Sequence, residues 1–279
     1  MHSSDKIIHG LWIGSTLHAM EHLTIKSFIK RGHTFVLWTY GEVSNIPNET
    51  EIRDANEIIP EDLVFCYTHS NQFGHGKGSY AGFSDLFRYK LLYELGGWWV
   101  DMDVTCLKSL HFDSEYVFRY HHKNGLVGNI MKCPPKSDLM LYCYENALEK
   151  VSASNTDWML PLKILKSGIS KYHLESYIKD ISNYDSWPDV AKMLKQNQNT
   201  PDHWYAIHWM NEEWRRLKIP KDEFVKGSYI ELLLTDNNIH IKILDQWQAL
   251  KYQYRIGKVN YSLVNLPFQI KSMFSQIFR

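Results

Sequence analysis

The chain has few cysteines, no long hydrophobic run and no net charge, and each absence argues against a class of protein. Its four cysteines include no C-x-x-C pair, which argues against a disulfide framework and favours a reduced, cytoplasmic protein. No run of about 18 apolar residues could span a bilayer, and the first ten residues lack the apolar core of a secretory signal. With 31 basic and 31 acidic side chains, the chain also lacks the basic excess of a nucleic-acid-binding protein.

What remains is the composition of an ordinary folded protein. Hydrophobic residues make up 44% and charged residues 22% of the 279 residues. We expect one large domain over residues 1–258 and a C-terminal tail over residues 259–279. The tail has apolar residues at helical spacing beside Lys271 and Arg279, which predicts a small amphipathic basic helix. Such a helix could dock on its own domain or make peripheral contact with a membrane, and both interpretations stay open.

The strongest local signal is a predicted helix followed by a strand and two acids. Apolar residues recur at helical spacing over residues 84–95, and a pair of glycines then ends the helix. The aromatic and β-branched run over residues 98–100 predicts a short buried strand. Asp101 and Asp103 follow it two residues apart, so an extended backbone would point both to one side.

Two carboxylates held this close repel each other, by roughly 4 kcal/mol at 4 Å and a dielectric constant of 20. Solvent, protonation or a cation relieves that repulsion. A solvated turn is the simple interpretation of Asp101 and Asp103. A bound divalent cation is favoured here because the acids follow an apolar strand, and open α/β sheets bind ligands at the ends of such strands.

The preceding part of the chain alternates between strand and helix patterns. Residues 6–13 and 33–40 are apolar runs that end at glycine, and residues 52–55 predict a third, shorter strand. Residues 18–31 form an amphipathic helical pattern between the first two. This alternation predicts parallel strands joined by crossovers, and therefore a Rossmann-like α/β unit.

Two later segments complete the predicted architecture. The apolar and aromatic run over residues 204–209 predicts a short strand that contains His208. Residues 229–234 and 239–244 are apolar runs joined by Thr-Asp-Asn-Asn, which predicts a β-hairpin.

The block around the two acids resembles a known family. Its residues are Ser84-Asp85, Arg88, Leu92-Tyr93, Gly96-Gly97 and Asp101-x-Asp103. This pattern is similar to the DXD-containing sugar-binding region of glycosyltransferase family 32. The resemblance implies a GT-A fold, with a mixed α/β sheet flanked by helices and helical or hairpin additions at its C-terminal side.

The resemblance also implies an activity. The enzyme would move a hexose from a nucleotide diphosphate sugar, preferably a UDP-sugar, to a hydroxyl of a glycan or lipid-linked glycan. Mn²⁺ or Mg²⁺ would be its cofactor, and the anomeric configuration would be retained. Family relatives that build capsules and lipopolysaccharides favour a bacterial, cytoplasmic enzyme of surface polysaccharide synthesis.

Site residues follow from the same resemblance. The expected metal ligands are Asp101, Asp103 and His208, and the expected catalytic residues are Asp101, Asp103 and Asp85. The nucleotide sugar is expected to contact Leu11, Trp12, Gly14, Ser84, Asp85, Arg88, Asp101 and Asn129. For Asp85 and Arg88, three residues apart on one helix face, a simple intrahelical ion pair is the structural alternative.

Two other functions stay open at this point. A metal-dependent nucleotidyltransferase or phosphotransferase also uses an Asp-x-Asp pair, but it would release pyrophosphate or orthophosphate instead of a nucleoside diphosphate. A catalytically inert glycan-binding paralogue is the third possibility, and the intact carboxylates of Asp101 and Asp103 argue against it.

Overall fold

The computed structural model describes residues 6–257, and its centre is a seven-stranded mixed sheet. The chain builds this sheet and two smaller ones from eleven strands within the described residues. They are β1 (Ile7–Trp12), β2 (Thr34–Thr39), β3 (Glu51–Asp54), β4 (Gly97–Val100), β5 (Val104–Cys106), β6 (Val117–His121), β7 (Gly125–Cys133), β8 (Ile178–Lys179), β9 (Ala206–His208), β10 (Glu223–Phe224) and β11 (Lys242–Ile243).

The helices pack on both sides of this sheet and form its C-terminal extension. They are α1 (Ala19–Lys30), α2 (Ala81–Leu95), α3 (Asp138–Lys150), α4 (Leu160–Lys171), α5 (Trp187–Met193), α6 (Asn211–Leu217), α7 (Tyr229–Asp236) and α8 (Gln246–Gly257).

The order of the large sheet is β3-β2-β1-β4-β7-β6-β8. Strands β1 to β4 are mutually parallel, whereas β7 runs antiparallel to both β4 and β6. The predicted mixed α/β sheet flanked by helices is therefore confirmed. Because β1 and β4 are parallel neighbours, the residues that follow Trp12 and Val100 meet at one edge of the sheet.

Alternating side chains of β2 show how the core is divided. Val36 and Trp38 pack in the cluster that contains α2, α3 and α4, whereas Phe35 and Leu37 pack in a second cluster with α1. Burying each such side chain stabilises the fold by about 1.5–3 kcal/mol. A third cluster joins α1 to helices α5 to α8 and contains Trp209.

The turn from α2 into β4 depends on Gly96. This residue caps α2 with a φ of 66°, and a Cβ there would lie 2.5 Å from the backbone nitrogen of Pro135. Only glycine fits both the left-handed conformation and the close approach. The predicted helix, glycine stop and strand are thus confirmed. The acids lie beyond Val100 in a turn, so strand alternation does not set the directions of Asp101 and Asp103.

A short antiparallel pair, β5 with β9, brings the late part of the chain to these acids. In its register Val104 lies opposite His208. Since Val104 directly follows Asp103, the pairing places His208 beside the second acid of the Asp-x-Asp motif.

The predicted β-hairpin at residues 229–244 is wrong. Ser228 caps α7 by accepting a hydrogen bond from the backbone of Glu231 at 3.4 Å, and the helix runs on to Asp236. The Ser-x-x-Glu spacing is a helix-start signal, and it outweighs the apolar run that suggested a strand. Strand β11 instead pairs in parallel with β10.

The predicted tail helix over residues 259–279, and the domain boundary before it, lie outside the described residues. Over residues 6–257, no helix is long and apolar enough to cross a membrane.

Candidate active site

One large cavity lies at the sheet edge where β1 and β4 end, with a volume of about 1250 Å³. Pockets for one small molecule usually span about 300–1,000 Å³, so this cavity has room for two substrates. Of the site residues predicted from the sequence, all but Gly14 line its wall. These are Leu11, Trp12, Ser84, Asp85, Arg88, Asp101, Asp103, Asn129 and His208.

Asp103 forms the centre of the site together with His208. Its Oδ2 lies 3.1 Å from Nε2 of His208 and accepts a hydrogen bond at 2.7 Å from the backbone of Asn211, the first residue of α6. Asp103 is only 6% exposed, so these two partners, in place of water, stabilise its negative charge.

Asp185 fixes the orientation of His208 from the other side. Its Oδ1 lies 2.8 Å from Nδ1 of the imidazole, which directs Nε2 towards Asp103. Arg119 holds Asp185 in turn, with contacts of 2.6 and 2.8 Å from its two terminal nitrogens. Asp185 lies in a loop at a positive φ of 54°. It belongs to no motif or periodic pattern, so the sequence alone does not mark it as a site residue.

The three groups shift each other's pKa values. Burial alone would raise the pKa of Asp103, but the charge and hydrogen bond of His208 lower it below its ordinary value. Burial also opposes ionisation of Asp185, yet Arg119 and His208 lower its pKa. Burial would lower the pKa of His208, whereas the two carboxylates raise it to about 10. In this arrangement the imidazole carries a proton between two carboxylates.

Arg88 organises the other half of the predicted site. Its guanidinium lies 3.0 Å from Oδ1 of Asp85 and 3.3 Å from Oδ1 of Asp101, and it also donates to the carbonyl of Gly128. The same group lies 5.3 Å from the ring of Trp99. Arg88 is 5% exposed, so its main observed role is to position the two carboxylates.

The buried position of Asp85 changes its ionisation. Burial raises its pKa to about 6, against the opposing effect of Arg88, and the charge of Asp101 adds to the rise. Asp101 is held by Trp99, whose indole nitrogen donates to it at 2.8 Å. The backbone of Asp101 also donates to the carbonyl of Asn129 at 3.0 Å. The side-chain oxygen of Asn129 also accepts a hydrogen bond at 3.1 Å from Arg119, so Asn129 contacts both Asp101 and the arginine that holds Asp185.

Trp12 and Lys221 form the wall beside the end of β1. The Lys221 ammonium lies 5.4 Å from the Trp12 ring and 2.5 Å from the buried carboxylate of Glu21. The charge of Lys221 also helps to lower the pKa of Asp103. Gly14 does not line the cavity but packs against Trp12. A Cβ at Gly14 would lie 3.2 Å from the indole nitrogen of Trp12.

The donor set at Asp103 and His208 suits a divalent cation. Two donors bound at right angles by bonds of about 2.1 Å lie about 3 Å apart, close to the 3.1 Å observed here. A carboxylate behind the second nitrogen, as Asp185 provides, is the usual support of a metal-binding histidine. Among residues 6–257, no three His, Cys, Asp or Glu side chains are grouped to hold an ion by themselves. Asp101 faces Arg88, so its role as a metal ligand stays a prediction.

Comparison with known families identifies the acidic motif. Residues 25–121 match the family model for the glycosyltransferase sugar-binding region containing a DXD motif. Asp101-Met102-Asp103 is the D-x-D within that region. This match indicates a glycosyltransferase whose D-x-D lies at Asp101 and Asp103.

Similar proteins extend beyond this region. An uncharacterized glycosyltransferase of Acanthamoeba polyphaga mimivirus is 25% identical, over 82% of this chain and 90% of its own length. Among solved structures, the PaToxG glycosyltransferase gives a TM-score of 0.45 at 12% identity, covering 91% of this chain and 85% of its own. The WbbM bifunctional glycosyltransferase gives 0.42 at 12% identity, covering 90% of this glycosyltransferase and 52% of its own chain.

Proposed function

We propose that this glycosyltransferase moves a hexose from a nucleoside diphosphate sugar, preferably a UDP-sugar, to a glycan hydroxyl with retention of configuration. The observation that carries the proposal is the pairing of Asp103 with His208 inside a cavity large enough for two substrates. The match of residues 25–121 to a sugar-binding region supports the substrate class. Retention and the choice of UDP rest on the family resemblance.

Asp103 and His208 would hold the cation, with diphosphate oxygens and water as its other ligands. Mn²⁺ is favoured over Mg²⁺ because imidazole is a better ligand for it. A bound cation would offset the charge of the diphosphate leaving group. Because His208 carries a proton in the arrangement described above, that proton must leave before the imidazole can bind the ion.

The remaining residues bind and orient the donor. Lys221 supplies a positive charge next to Trp12, close enough to Asp103 to influence its ionisation, and would attract the diphosphate. Asp85 and Asp101, fixed by Arg88, offer carboxylate oxygens to sugar hydroxyls. Fixed partners of this kind act mainly by positioning the reacting atoms.

The proposed reaction needs no covalent enzyme intermediate. The bond from the anomeric carbon to the diphosphate oxygen breaks, and the acceptor oxygen bonds to that carbon on the same face. The acceptor proton passes to the departing diphosphate oxygen. Asp85 and Asp101 already share Arg88 as an ion-pair partner, which makes either of them a weak nucleophile.

The setting of the reaction is also a proposal. We propose a cytoplasmic enzyme of surface glycan synthesis that acts on a glycan or lipid-linked glycan. The curated relative is viral, so the bacterial origin expected from the family resemblance stays a prediction.

A thermal-shift panel tests the donor. UDP-, GDP- and CMP-sugars are added with and without Mn²⁺, and a UDP-sugar should raise the melting temperature only when the metal is present. Product analysis should then show UDP release. Release of pyrophosphate or orthophosphate would contradict glycosyl transfer and support a nucleotidyl or phosphoryl transfer reaction instead.

A further inference from the structure

A second part of the cavity wall takes no part in the donor chemistry described above. Three aromatic side chains lie there: Phe73 and Tyr80 on the loop before α2, and Trp158 just before α4. Phe73 is 66% exposed and Tyr80 is 41% exposed, which is high for side chains of this size. We call these three residues the aromatic wall.

Trp158 is the most firmly held member of the aromatic wall. Its ring lies 5.6 Å from the ring of Tyr67 and 6.2 Å from that of His75. A Cβ added at Gly76 would contact the indole at 3.4 Å, so the loop packs closely against it. The indole is thus supported by protein while it also lines the cavity.

The charged side chains beside the aromatic wall are paired within the protein. The pairs are Asp157 with Lys163 at 2.7 Å, Glu212 with Arg215 at 2.8 Å, and Glu213 with Arg216 at 2.7 Å. A ligand at this wall therefore meets aromatic surface and side chains whose charges are balanced within ion pairs.

We propose that the aromatic wall is the acceptor site and that it binds a neutral saccharide, whose ring stacks on Trp158. The proposal rests on the proposed function. A sugar ring has an apolar face of C–H groups and an edge of hydroxyls, which matches an aromatic surface at the mouth of a polar cavity. The three ion pairs beside the wall carry no net charge, so they give no electrostatic preference for an acidic saccharide.

Helix α6 fixes the distance between the aromatic wall and the acidic centre. At its first residue, the backbone of Asn211 donates to Asp103. One residue later, Glu212 accepts a hydrogen bond at 3.0 Å from the backbone of Gly76, and Glu213 contacts His75 at 2.8 Å. Helix α6 therefore contacts both the carboxylate of Asp103 and the loop that supports Trp158. This would fix the position of the acceptor relative to the donor.

Saccharide binding to the full chain in the presence of UDP and Mg²⁺ tests the proposal. Saturation-transfer NMR would compare methyl β-galactoside and lactose with galacturonic acid and 3′-sialyllactose. The neutral sugars should bind. Trp158→Ala should weaken their binding at least tenfold, and Trp158→Phe should restore most of it because the stacking face is kept. The matched control is Trp247→Ala, since Trp247 is 76% exposed on α8 and lies outside the cavity wall.

The melting-temperature rise caused by UDP separates this proposal from the donor site. It should be the same in wild type, Trp158→Ala and Trp247→Ala. Binding of acidic sugars alone, no saccharide binding by a chain that still binds UDP, or loss of the UDP shift in Trp158→Ala would each overturn the acceptor site. A chain that binds neutral sugars through Trp158 but never UDP would contradict the proposed function and leave the saccharide site intact.

Discussion

His208 and Asp103 face each other across 3.1 Å although they come from distant parts of the chain. Their approach follows from one register, in which Val104 of β5 lies opposite His208 of β9. Both side chains line the cavity, so substitutions of similar shape can test their chemistry.

Asp103→Asn should strongly reduce transfer while the fold is kept. The amide oxygen can still accept from the backbone of Asn211, but the negative charge is lost. We expect the turnover rate to fall by about 10²–10³-fold, the usual cost of removing one group that stabilises developing charge. Unfolding should change little in calorimetry, and Asp113→Asn, at an exposed acid, serves as the control. Wild-type turnover of Asp103→Asn in the presence of a chelator would contradict the proposed mechanism.

Asp185→Asn should weaken metal binding more than catalysis. Loss of the carboxylate behind a ligating histidine typically costs about 10–100-fold in metal affinity. The Mn²⁺ concentration that gives half-maximal activity should rise by that factor, with turnover largely recovered at saturating metal. Arg119→Gln is the matched control, because it also disturbs Asp185 but leaves the contact to His208. It should lower the melting temperature with a smaller change in the metal requirement, and equal changes in both variants would indicate a purely structural role.

Arg88→Lys should be a severe substitution despite keeping the charge. An ammonium cannot bridge Asp85 and Asp101 while also donating to the carbonyl of Gly128 as the planar guanidinium does. We expect a loss of about 10²-fold in turnover, because both carboxylates become misplaced. Steady-state kinetics and calorimetry measure the two effects. Arg53→Lys, at an exposed ion pair, should change neither by much, and full activity in Arg88→Lys would show that the two acids need no common partner.

The chain should lose stability in mild acid because of buried neutral histidines. Burial lowers the pKa of His9 from 6.5 to about 4, with a further contribution from the charge of Arg53, and its Nδ1 accepts a hydrogen bond from Trp38 at 3.2 Å. As the pH falls, the His9 imidazole of the unfolded chain binds a proton near pH 6.5, before that of the folded chain does. The contribution of His9 to the free energy of unfolding is therefore complete above pH 6.5 and is lost as the pH falls towards 4. At about 1.4 kcal/mol per pKa unit, the loss is on the order of 3 kcal/mol.

Urea unfolding between pH 7 and 4.5 measures this effect. His9→Asn should flatten the dependence of the unfolding free energy on pH, whatever its effect on stability at pH 7. His240→Asn removes an exposed histidine and should leave the slope unchanged. If His9→Asn keeps the wild-type slope, His9 is not the group that titrates.

Local signals account for the parts of the fold that could be predicted. The α2 helix ends at Gly96 because only glycine fits there, and the side chain of Ser137 caps α3 by accepting a hydrogen bond from the backbone of Met140. The region around α7 was misassigned because its apolar run obscured the capping signal of Ser228 and Glu231. Short apolar runs suit strands and buried helices equally well, so such a cap has to decide between them.

The candidate site was predictable where its residues form a motif or occupy positions that the family resemblance indicates. Asp101 and Asp103 stand out by spacing, and His208 stands out by resemblance. Asp185 and Lys221 carry no local pattern, because their roles arise from partners distant in sequence, Arg119 and Glu21 respectively. Side-chain direction was equally hidden: the two acids lie in a turn and engage different partners.

The pairing of β5 with β9 has a consequence for shortened forms of the chain. A fragment that ends before residue 206 would retain everything that matches the family model, because that match stops at residue 121. It would nevertheless lack the imidazole and the helix that contact Asp103. The proposed activity would therefore require that residues 206–217 have been synthesised and have paired with β5.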